Sequence, residues 1–279
     1  MTKTVFITGA SSGIGKATAH HFHERGWNVV ATMRSPDKAG DLAGMDRTLV
    51  TRLDVLDGDS IGSARDAALQ RFGRVDVLLN NAGYGAYGPL EAFSMERIER
   101  QFATNVTGLL AVTKAFLPDF RAHKAGVIVN ISSIGGQMTF PLGTLYHGTK
   151  FAVEGLSEAL HYELEAFGVR VKIVQPGMIK TDFGGRSFDF CNDVSLVEYQ
   201  GTVRKLFAHW GKVGANPSDP RVVAETIWAA AHDETSTLRF RAGADAEALL
   251  ADRKAQDDAT FIGSLKSQMG LEVRGKSGL

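Results

Sequence analysis

Tyr146 and Lys150 are four residues apart, a spacing at which the two side chains could share one proton-transfer site. On a helix, such residues lie on the same face about one turn apart, so a phenol and an ammonium can act together. Ser133 comes before them, at the end of an apolar run typical of a strand. A serine hydroxyl can donate to a carbonyl oxygen that gains negative charge, while a phenol can protonate that oxygen. The three residues therefore indicate acid–base chemistry on a carbonyl or an alcohol.

The neighbours of these residues need separate interpretation. A free phenol has a pKa near 10, so we expect the charge of Lys150 to favour the phenolate of Tyr146. Side chains alternate along a strand, so Ser132 is expected to point away from Ser133. Neighbours on a helix diverge by about 100°, and we therefore interpret His147 as a bystander.

A glycine-rich turn follows the first predicted strand, with glycines at positions 9, 13 and 15. A predicted helix begins directly after it, so backbone N–H groups could approach a pyrophosphate at the positive end of that helix. The spacing Gly-x-x-x-Gly-x-Gly differs from the general dinucleotide fingerprint Gly-x-Gly-x-x-Gly. A turn without a ligand is the alternative, but its place between a strand and a helix favours phosphate binding.

Short β-branched runs alternate with longer amphipathic stretches along the chain. The predicted strands are 5–7, 28–32, 49–53, 75–79, 127–131 and 169–174, and the predicted helices are 14–25, 59–72, 95–122, 145–167, 219–232 and 244–265. This alternation is typical of βαβ units. We therefore expect an α/β fold with a doubly wound parallel sheet of the Rossmann type, in one domain spanning residues 1–279.

Residues 183–217 interrupt the pattern, because they mix Gly, Asp and Asn with aromatic residues and show no clean period. A loop of this length is usually a functional lid. It could cover a nonpolar substrate or pack against the body of the protein, and both interpretations stay open. The apolar residues are Phe183, Phe188, Phe190, Leu196, Tyr199, Phe207 and Trp210. Residues 242–279 are expected to form a C-terminal extension.

Together these motifs resemble the short-chain dehydrogenase/reductase family, whose single-domain oxidoreductases carry Thr-Gly-x-x-x-Gly-x-Gly at the position of residues 8–15. Asn105, Ser133, Tyr146 and Lys150 match the catalytic tetrad of that family. The resemblance implies that Tyr146 is the general acid or base, that Lys150 also binds the nicotinamide ribose, and that Asn105 holds a water that relays protons. The chain ending is similar to that of members acting on retinoids or steroids, such as the retinol and 17-beta-hydroxysteroid dehydrogenases.

The resemblance also implies which residues bind the cofactor. Asp54 would contact the adenine ring, Asn81 would stabilise the adjacent sheet edge, and the segment from Pro176 to Thr181 would line the nicotinamide carboxamide. The complete expected set is Gly9, Ser11, Ser12, Gly13, Ile14, Gly15, Arg34, Asp54, Val55, Asn81, Ala82, Gly83, Tyr146, Lys150, Pro176, Gly177, Ile179 and Thr181.

The end of the second predicted strand favours NADP(H) over NAD(H). An acidic residue there would bind the ribose hydroxyls and repel a 2′-phosphate, but this chain has Met33. Arg34 follows, and its planar guanidinium can bind a phosphate through paired hydrogen bonds. Ser12 could add a donor. NAD(H) remains the alternative, with Asp37 on the ribose.

Composition excludes several classes of function. Basic and acidic residues both number 31, so no strong field exists to attract nucleic acid or an anionic membrane. No apolar run approaches the roughly 18 residues that span a bilayer, and no signal-peptide pattern opens the sequence. Cys191 is the only cysteine, so no intrachain disulfide can form, and we expect a cytoplasmic protein.

No metal site is expected. The histidines at positions 20, 21 and 23 lie close together, but no acidic or cysteine partner is implied beside them, so we interpret them as surface or partly packed residues.

The resemblance also implies a homodimer or homotetramer that pairs helices 95–122 and 145–167 across a two-fold axis. The expected activity is an NADP(H)-dependent interconversion of a carbonyl and an alcohol on a hydrophobic small molecule.

Three alternatives remain: an NAD(H)-linked alcohol dehydrogenase of the same family, a sugar-nucleotide epimerase or dehydratase of the extended branch, and a cofactor-sensing regulator without catalysis. The extended branch generally has another glycine spacing and a larger substrate domain. Regulators usually lose the tyrosine or the lysine, and this chain has both.

Overall fold

The computed structural model describes residues 2–181, 187–213 and 216–271. Parts of the predicted lid and of the C-terminal extension, residues 183–186, 214, 215 and 272–279, lie outside the described residues, and Phe183 is among them.

A seven-stranded parallel sheet forms the centre of the protein, in the order β3-β2-β1-β4-β6-β7-β9. Its strands are β1 Thr4–Thr8, β2 Asn28–Met33, β3 Thr48–Arg52, β4 Val77–Asn80, β6 Gly126–Ile131, β7 Val169–Pro176 and β9 Arg239–Ala242. A separate two-stranded parallel pair consists of β5 Gly85–Tyr87 and β8 Phe188–Phe190. The chain reverses its direction of strand addition between β1 and β4, which creates the crevice where such sheets bind ligands.

Helices cover both faces of the sheet. They are α1 Gly13–Glu24, α2 Gly58–Phe72, α3 Met95–Phe102, α4 Gly108–His123, α5 Thr144–Glu165, α6 Val197–Val213, α7 Pro220–His232, α8 Ala244–Ala255 and α9 Asp258–Gln268. Val5 and Ile7 of β1 pack on the core under α1 and α7, whereas Phe6 packs on the opposite core with Phe116 of α4. The expected α/β doubly wound Rossmann-type sheet is therefore confirmed.

The predicted helix 95–122 differs from the structure, because α3 and α4 are separated by a π-helical turn, Ala103–Thr107. π-turns inside helices often occur at functional sites, and this one contains Asn105. The predicted helix 244–265 is also two helices, since α8 ends at Ala255 and Asp257 begins a new N-cap by accepting from the Thr260 backbone N–H (2.8 Å).

The prediction that residues 183–217 form an irregular segment is wrong in part, since α6 spans 17 of these residues. Val203, Leu206 and Trp210 have the spacing of one helical face, which Gly201 and Gly211 obscure in the sequence. Leu206 is fully buried against α8 and α9, so the C-terminal helices hold α6 in place.

Candidate active site

A cleft of about 1190 Å³ opens at the carboxyl ends of the parallel strands. The predicted residues lining it are Gly9, Ser11, Ser12, Gly13, Ile14, Arg34, Asp54, Val55, Asn81, Ala82, Gly83, Ser133, Tyr146, Lys150, Pro176, Gly177, Ile179 and Thr181. Most of them lie at or just after the ends of different strands, which a parallel sheet brings to one edge. Tyr146 and Lys150 instead lie on α5. Gly15 and Asn105 are the two predicted residues outside the lining.

The glycine loop packs tightly against both β4 and its own helix. The Asn81 amide donates to the carbonyls of Thr8 (2.9 Å) and Gly9 (3.1 Å). A Cβ on Gly15 would lie 2.4 Å from the Gly9 oxygen, so only glycine allows α1 to begin this close to the loop. Gly15 therefore sets the shape of the loop without lining the cleft itself. This open cradle at a helix N-terminus fits the pyrophosphate of a dinucleotide.

Ser133 and Tyr146 lie together in the cleft. Ser133 follows the end of β6 and is 7% exposed, while Tyr146 lies in the first turn of α5 and is 9% exposed. The Ser133 hydroxyl is close enough to Tyr146 to lower the pKa of the phenol, against the larger effect of burial. The Gly135 backbone N–H also donates to Ser133 Oγ (3.0 Å). A donor and a proton carrier thus converge on one point of the cleft.

Lys150 approaches the same point of the cleft. Its Nζ donates to the Ile131 carbonyl (2.9 Å) and lies 5.8 Å from the centre of the Tyr146 ring. Burial raises the pKa of Tyr146 to about 12, and the Ser133 hydrogen bond opposes that rise only in part. Desolvation of the phenolate thus dominates the pKa of Tyr146 in the protein by itself. The expectation that the charge of Lys150 favours the phenolate stays a prediction.

Burial likewise lowers the pKa of Lys150 to about 8, against the opposing charge of Glu154. Glu154 is a residue that the sequence analysis missed. Its carboxylate accepts from Arg239 Nε of β9 (2.8 Å) and from Gln175 Nε2 of β7 (3.0 Å). Since Glu154 lies one turn beyond Lys150, the spacing Tyr-x-x-x-Lys-x-x-x-Glu was a readable signal. Its partner Arg239 was not, because β9 was not predicted.

Asn105 lies in the π-turn, and both the nitrogen and the oxygen of its side-chain amide are hydrogen-bonded. Its Nδ2 donates to the Tyr84 carbonyl (2.8 Å) and to Thr149 Oγ1 (3.1 Å), while its Oδ1 accepts from the Tyr84 backbone N–H (3.1 Å). Asn105 therefore ties the segment after β4 to α5, the helix that carries Tyr146 and Lys150. The proton relay through Asn105 stays a prediction.

An aromatic wall encloses the end of the cleft next to Tyr146. It comprises Tyr87, Phe140, Phe188, Phe207 and Trp210. The Tyr87 ring centre lies 5.5 Å from that of Tyr146 and 5.1 Å from that of Trp210. Phe188, Phe207 and Trp210 come from the predicted lid segment, whereas Tyr87 was missed because β5 is too short to give a sequence pattern.

His147 also lines this end of the cleft, which its place beside Tyr146 on the helix did not lead us to expect. The ring lines the cleft and bonds to the Gly135 carbonyl and the Phe140 backbone N–H. The 100° divergence from Tyr146 is real, but the loop after β6 wraps over the start of α5 and meets the ring there. Sequence spacing on the helix carries no information about that loop.

Two further regions border the cleft. At the end of β2, Met33 is buried and Arg34 is exposed, and both line the cleft, whereas Asp37 is not among the lining residues. At the end of β7, the Met178 backbone N–H donates to Asp245 Oδ2 of α8 (2.6 Å), which fixes the loop after Pro176. Asp245 was not predicted from the sequence.

Across residues 2–181, 187–213 and 216–271, no group of three or more His, Cys, Asp or Glu side chains could hold a metal ion. Within the same residues, no helix has the length and apolar character needed to cross a membrane. Of the three clustered histidines, His21 is buried, with its ring 6.0 Å from that of Trp228.

Comparison with known proteins agrees with this geometry. The family model described as short chain dehydrogenase matches residues 3–191. An uncharacterised oxidoreductase of Schizosaccharomyces pombe is 44% identical over 244 residues, covering 86% of this chain and 100% of the relative. Human retinol dehydrogenase 8 is 36% identical over 242 residues, covering 78% of this chain and 75% of the relative.

Solved structures show the same fold. A short-chain dehydrogenase from Streptomyces avermitilis superimposes with a TM-score of 0.82 at 35% identity, covering 97% of this chain and 98% of that one. ElxO with NADP bound gives 0.71 at 28% identity, covering 86% of this chain and 98% of that one. A Burkholderia phymatum enzyme in complex with NAD gives 0.76 at 25% identity, covering 94% and 95%. The chain therefore belongs to the short-chain dehydrogenase/reductase family and is an NAD(P)-dependent oxidoreductase.

Proposed function

We propose that the protein interconverts a ketone or aldehyde and an alcohol, with NADP(H) as the preferred cofactor and Tyr146 as the general acid or base. The observation that carries the proposal is the convergence of Ser133, Tyr146 and Lys150 in one cleft, with both hydroxyl-bearing side chains almost fully buried. The substrate is a hydrophobic small molecule, because the cleft next to Tyr146 is lined by aromatic rings.

The roles of the side chains follow from their environment. When bound, the nicotinamide supplies or accepts the hydride. Ser133 donates a hydrogen bond to the substrate oxygen, and Tyr146 delivers a proton to it during reduction. Because burial raises the pKa of Tyr146 to about 12, the phenol is protonated at neutral pH and is ready to act as an acid. Oxidation requires that proton to leave, so added positive charge in the cleft would assist that direction.

Lys150 and the glycine loop hold the cofactor in this proposal. Lys150 would bind the nicotinamide ribose, and the loop 9–15 would accept the pyrophosphate. Asp54 and Val55 would border the adenine ring, since they lie in the same cleft.

NADP(H) is favoured by the charge at the end of β2. Met33 replaces the acidic residue that would repel a 2′-phosphate, and the exposed guanidinium of Arg34 lies in the cleft. NAD(H) remains the alternative cofactor. The structural relatives include both NADP-bound and NAD-bound proteins, so they do not decide between the two.

The proposal also includes a cover over the substrate end, a homo-oligomer and a cytoplasmic location. Helix α6 is the main described part of the cover, since Phe207 and Trp210 line the cleft while Leu206 packs on the C-terminal helices. The faces of α3 and α5 support self-association, because Phe102, Phe151 and Tyr162 are exposed there. The single cysteine is consistent with a reducing compartment.

A substrate panel tests the proposal. Ketones, aldehydes and secondary alcohols with aromatic, polycyclic or polyunsaturated bodies are offered with NADPH, NADH, NADP or NAD, and absorbance is followed at the nicotinamide band. We expect turnover with apolar members and little with short polar ones. A protein that binds the cofactor but turns over no member would instead fit a cofactor-sensing regulator.

A further inference from the structure

We propose that His147 is a positioning residue that orients Ser133 and fixes the substrate-side loop 134–143 through one tautomer of its imidazole. This role rests on the proposed function, because it concerns the reaction assigned to Ser133 and Tyr146.

The geometry around the ring specifies the tautomer. Phe140 presents a backbone N–H at 2.9 Å from His147 Nε2, and an N–H can only donate, so Nε2 has to accept. A neutral imidazole then carries its proton on Nδ1, which lies 3.0 Å from the Gly135 carbonyl and donates to it. The Tyr87 hydroxyl lies 3.4 Å from the same nitrogen, whose single lone pair is taken by the shorter bond from Phe140. Both ring nitrogens are therefore used in binding the protein's own backbone.

Gly135 connects the ring to the active site. Its carbonyl accepts from His147 Nδ1, and its backbone N–H donates to Ser133 Oγ (3.0 Å). Because that N–H occupies one lone pair of the hydroxyl, the Ser133 proton is directed elsewhere, towards Tyr146 or a substrate oxygen. His147 thus positions the Gly135 backbone N–H, and that N–H sets the direction of the Ser133 hydroxyl.

The ring is enclosed so closely that another shape would displace the loop. His147 is 3% exposed. A Cβ on Gly135 would lie 2.7 Å from Nδ1, and a Cβ on Gly143 would lie 2.4 Å from Cδ2. Two glycines of the loop therefore leave the space that the imidazole occupies, one on each side of it.

The ring stays neutral under ordinary conditions. The groups packed on it are the rings of Tyr87, Phe140 and Tyr146, with centres 5.5 to 6.1 Å away, and the Gly135 carbonyl. Burial among them lowers the pKa of His147 to about 4, with the Gly135 carbonyl opposing. The donor and acceptor pattern therefore does not change across neutral pH.

Three substitutions of His147 separate the two hydrogen bonds. His147→Asn places an amide close to the position of Nδ1 and can still donate to the Gly135 carbonyl. His147→Gln reaches towards the position of Nε2 and can still accept from Phe140. His147→Phe keeps a ring of similar width but makes neither bond. The matched control is His161→Phe, another histidine of α5 that is not among the cleft residues.

The readouts are kcat and KM on the best panel substrate, cofactor Kd by fluorescence, and the melting temperature of the full chain. We expect kcat to fall at least about tenfold in His147→Phe, since small misplacements in an active site cost up to about a hundredfold. His147→Asn should recover part of that loss, while the cofactor Kd stays within about twofold and His161→Phe keeps its kcat. A kcat in His147→Phe above half of the wild-type value, or no recovery in His147→Asn at equal melting temperature, would overturn the proposal.

A second measurement does not depend on turnover or on a stable variant. Imidazole ¹⁵N chemical shifts of the wild-type protein distinguish a proton on Nδ1 from one on Nε2. The proposal requires the Nδ1–H tautomer from pH 6 to pH 8, and an Nε2–H tautomer or a charged ring would contradict it. If no panel member is turned over, the proposed reaction fails, while the ¹⁵N result still decides the bonding of His147.

Discussion

Removing Arg239 should destabilise the protein far more than its place on an edge strand suggests. Arg239 of β9 binds Glu154 and Glu158 of α5 at 2.8 and 2.5 Å. The side chain of Glu154 is only 7% exposed, against 33% for Arg239 and 45% for Glu158. Arg239→Met would leave the Glu154 carboxylate buried, bonded to Gln175 and with the charge of Lys150 as its nearby compensation.

The expected cost comes mainly from Glu154. Breaking a buried ion pair by removing one partner costs about 3 to 5 kcal/mol, because an uncompensated charge stays in the interior. Arg239 is one-third exposed, so water can partly replace it, and we expect the lower end, about 3 kcal/mol. The contact with the more exposed Glu158 should contribute less than about 1 kcal/mol.

Urea unfolding followed by tryptophan fluorescence measures this cost as a change in the free energy of unfolding. Adding Glu154→Gln to Arg239→Met removes the buried charge, so the double variant should be more stable than Arg239→Met alone. The matched control is Arg241→Met on the same strand, whose partner Glu247 is 63% exposed and which should lose less than about 1 kcal/mol. A loss below about 1 kcal/mol in Arg239→Met, or a double variant no more stable than the single one, would refute the reasoning.

Three other outcomes follow from the same structure. Changing Met33→Asp together with Arg34→Ala should shift the ratio of catalytic efficiencies towards NAD(H) by about tenfold or more, since a charged hydrogen bond is worth about 1.5 to 3 kcal/mol; an unchanged ratio would be inconsistent with a 2′-phosphate contact. Because the pKa of His147 falls from 6.5 to about 4 on folding, the unfolded chain binds the proton first as pH drops. Between pH 6.5 and pH 4, the free energy of unfolding of the wild-type protein should therefore fall by up to about 3 kcal/mol more than that of His147→Phe. An equal fall in both proteins, measured by urea unfolding, would contradict this. Light scattering at micromolar concentration should show a dimer or tetramer, and a monomer would exclude pairing through α3 to α5.

The sequence predicted the parts of the fold that depend on local patterns. The six predicted strands all overlap strands of the central sheet, because each is rich in apolar and β-branched residues. Five of them are largely buried, whereas β3 lies at the sheet edge and is only partly buried. The strand of the central sheet that escaped prediction, β9, reads Arg239-Phe240-Arg241-Ala242, and its charges are satisfied by α5 and α8. No local pattern reveals those partners.

The residues of the candidate site likewise divide into those that local patterns predict and those that depend on partners distant in sequence. Residues that follow strand ends, such as Asn81 and Ser133, were predictable because a parallel sheet gathers its carboxyl ends at one edge. His147, Glu154 and Asp245 act through contacts with loops and strands distant in sequence. The boundary between α8 and α9 was readable at Asp257, an N-cap residue placed directly before a helical pattern.

Tyr146→Phe gives the clearest test of the proposed chemistry, because it removes one hydroxyl and keeps a ring that is 9% exposed. NADPH binding by fluorescence and NADPH oxidation at the nicotinamide band are measured for wild type and variant with the best carbonyl of the panel. We expect near-normal NADPH binding and turnover well below a tenth of the wild-type rate, because the transferable proton is lost. A variant that keeps a tenth or more would place the contribution of the hydroxyl below about 1.4 kcal/mol and would contradict its role as the proton donor.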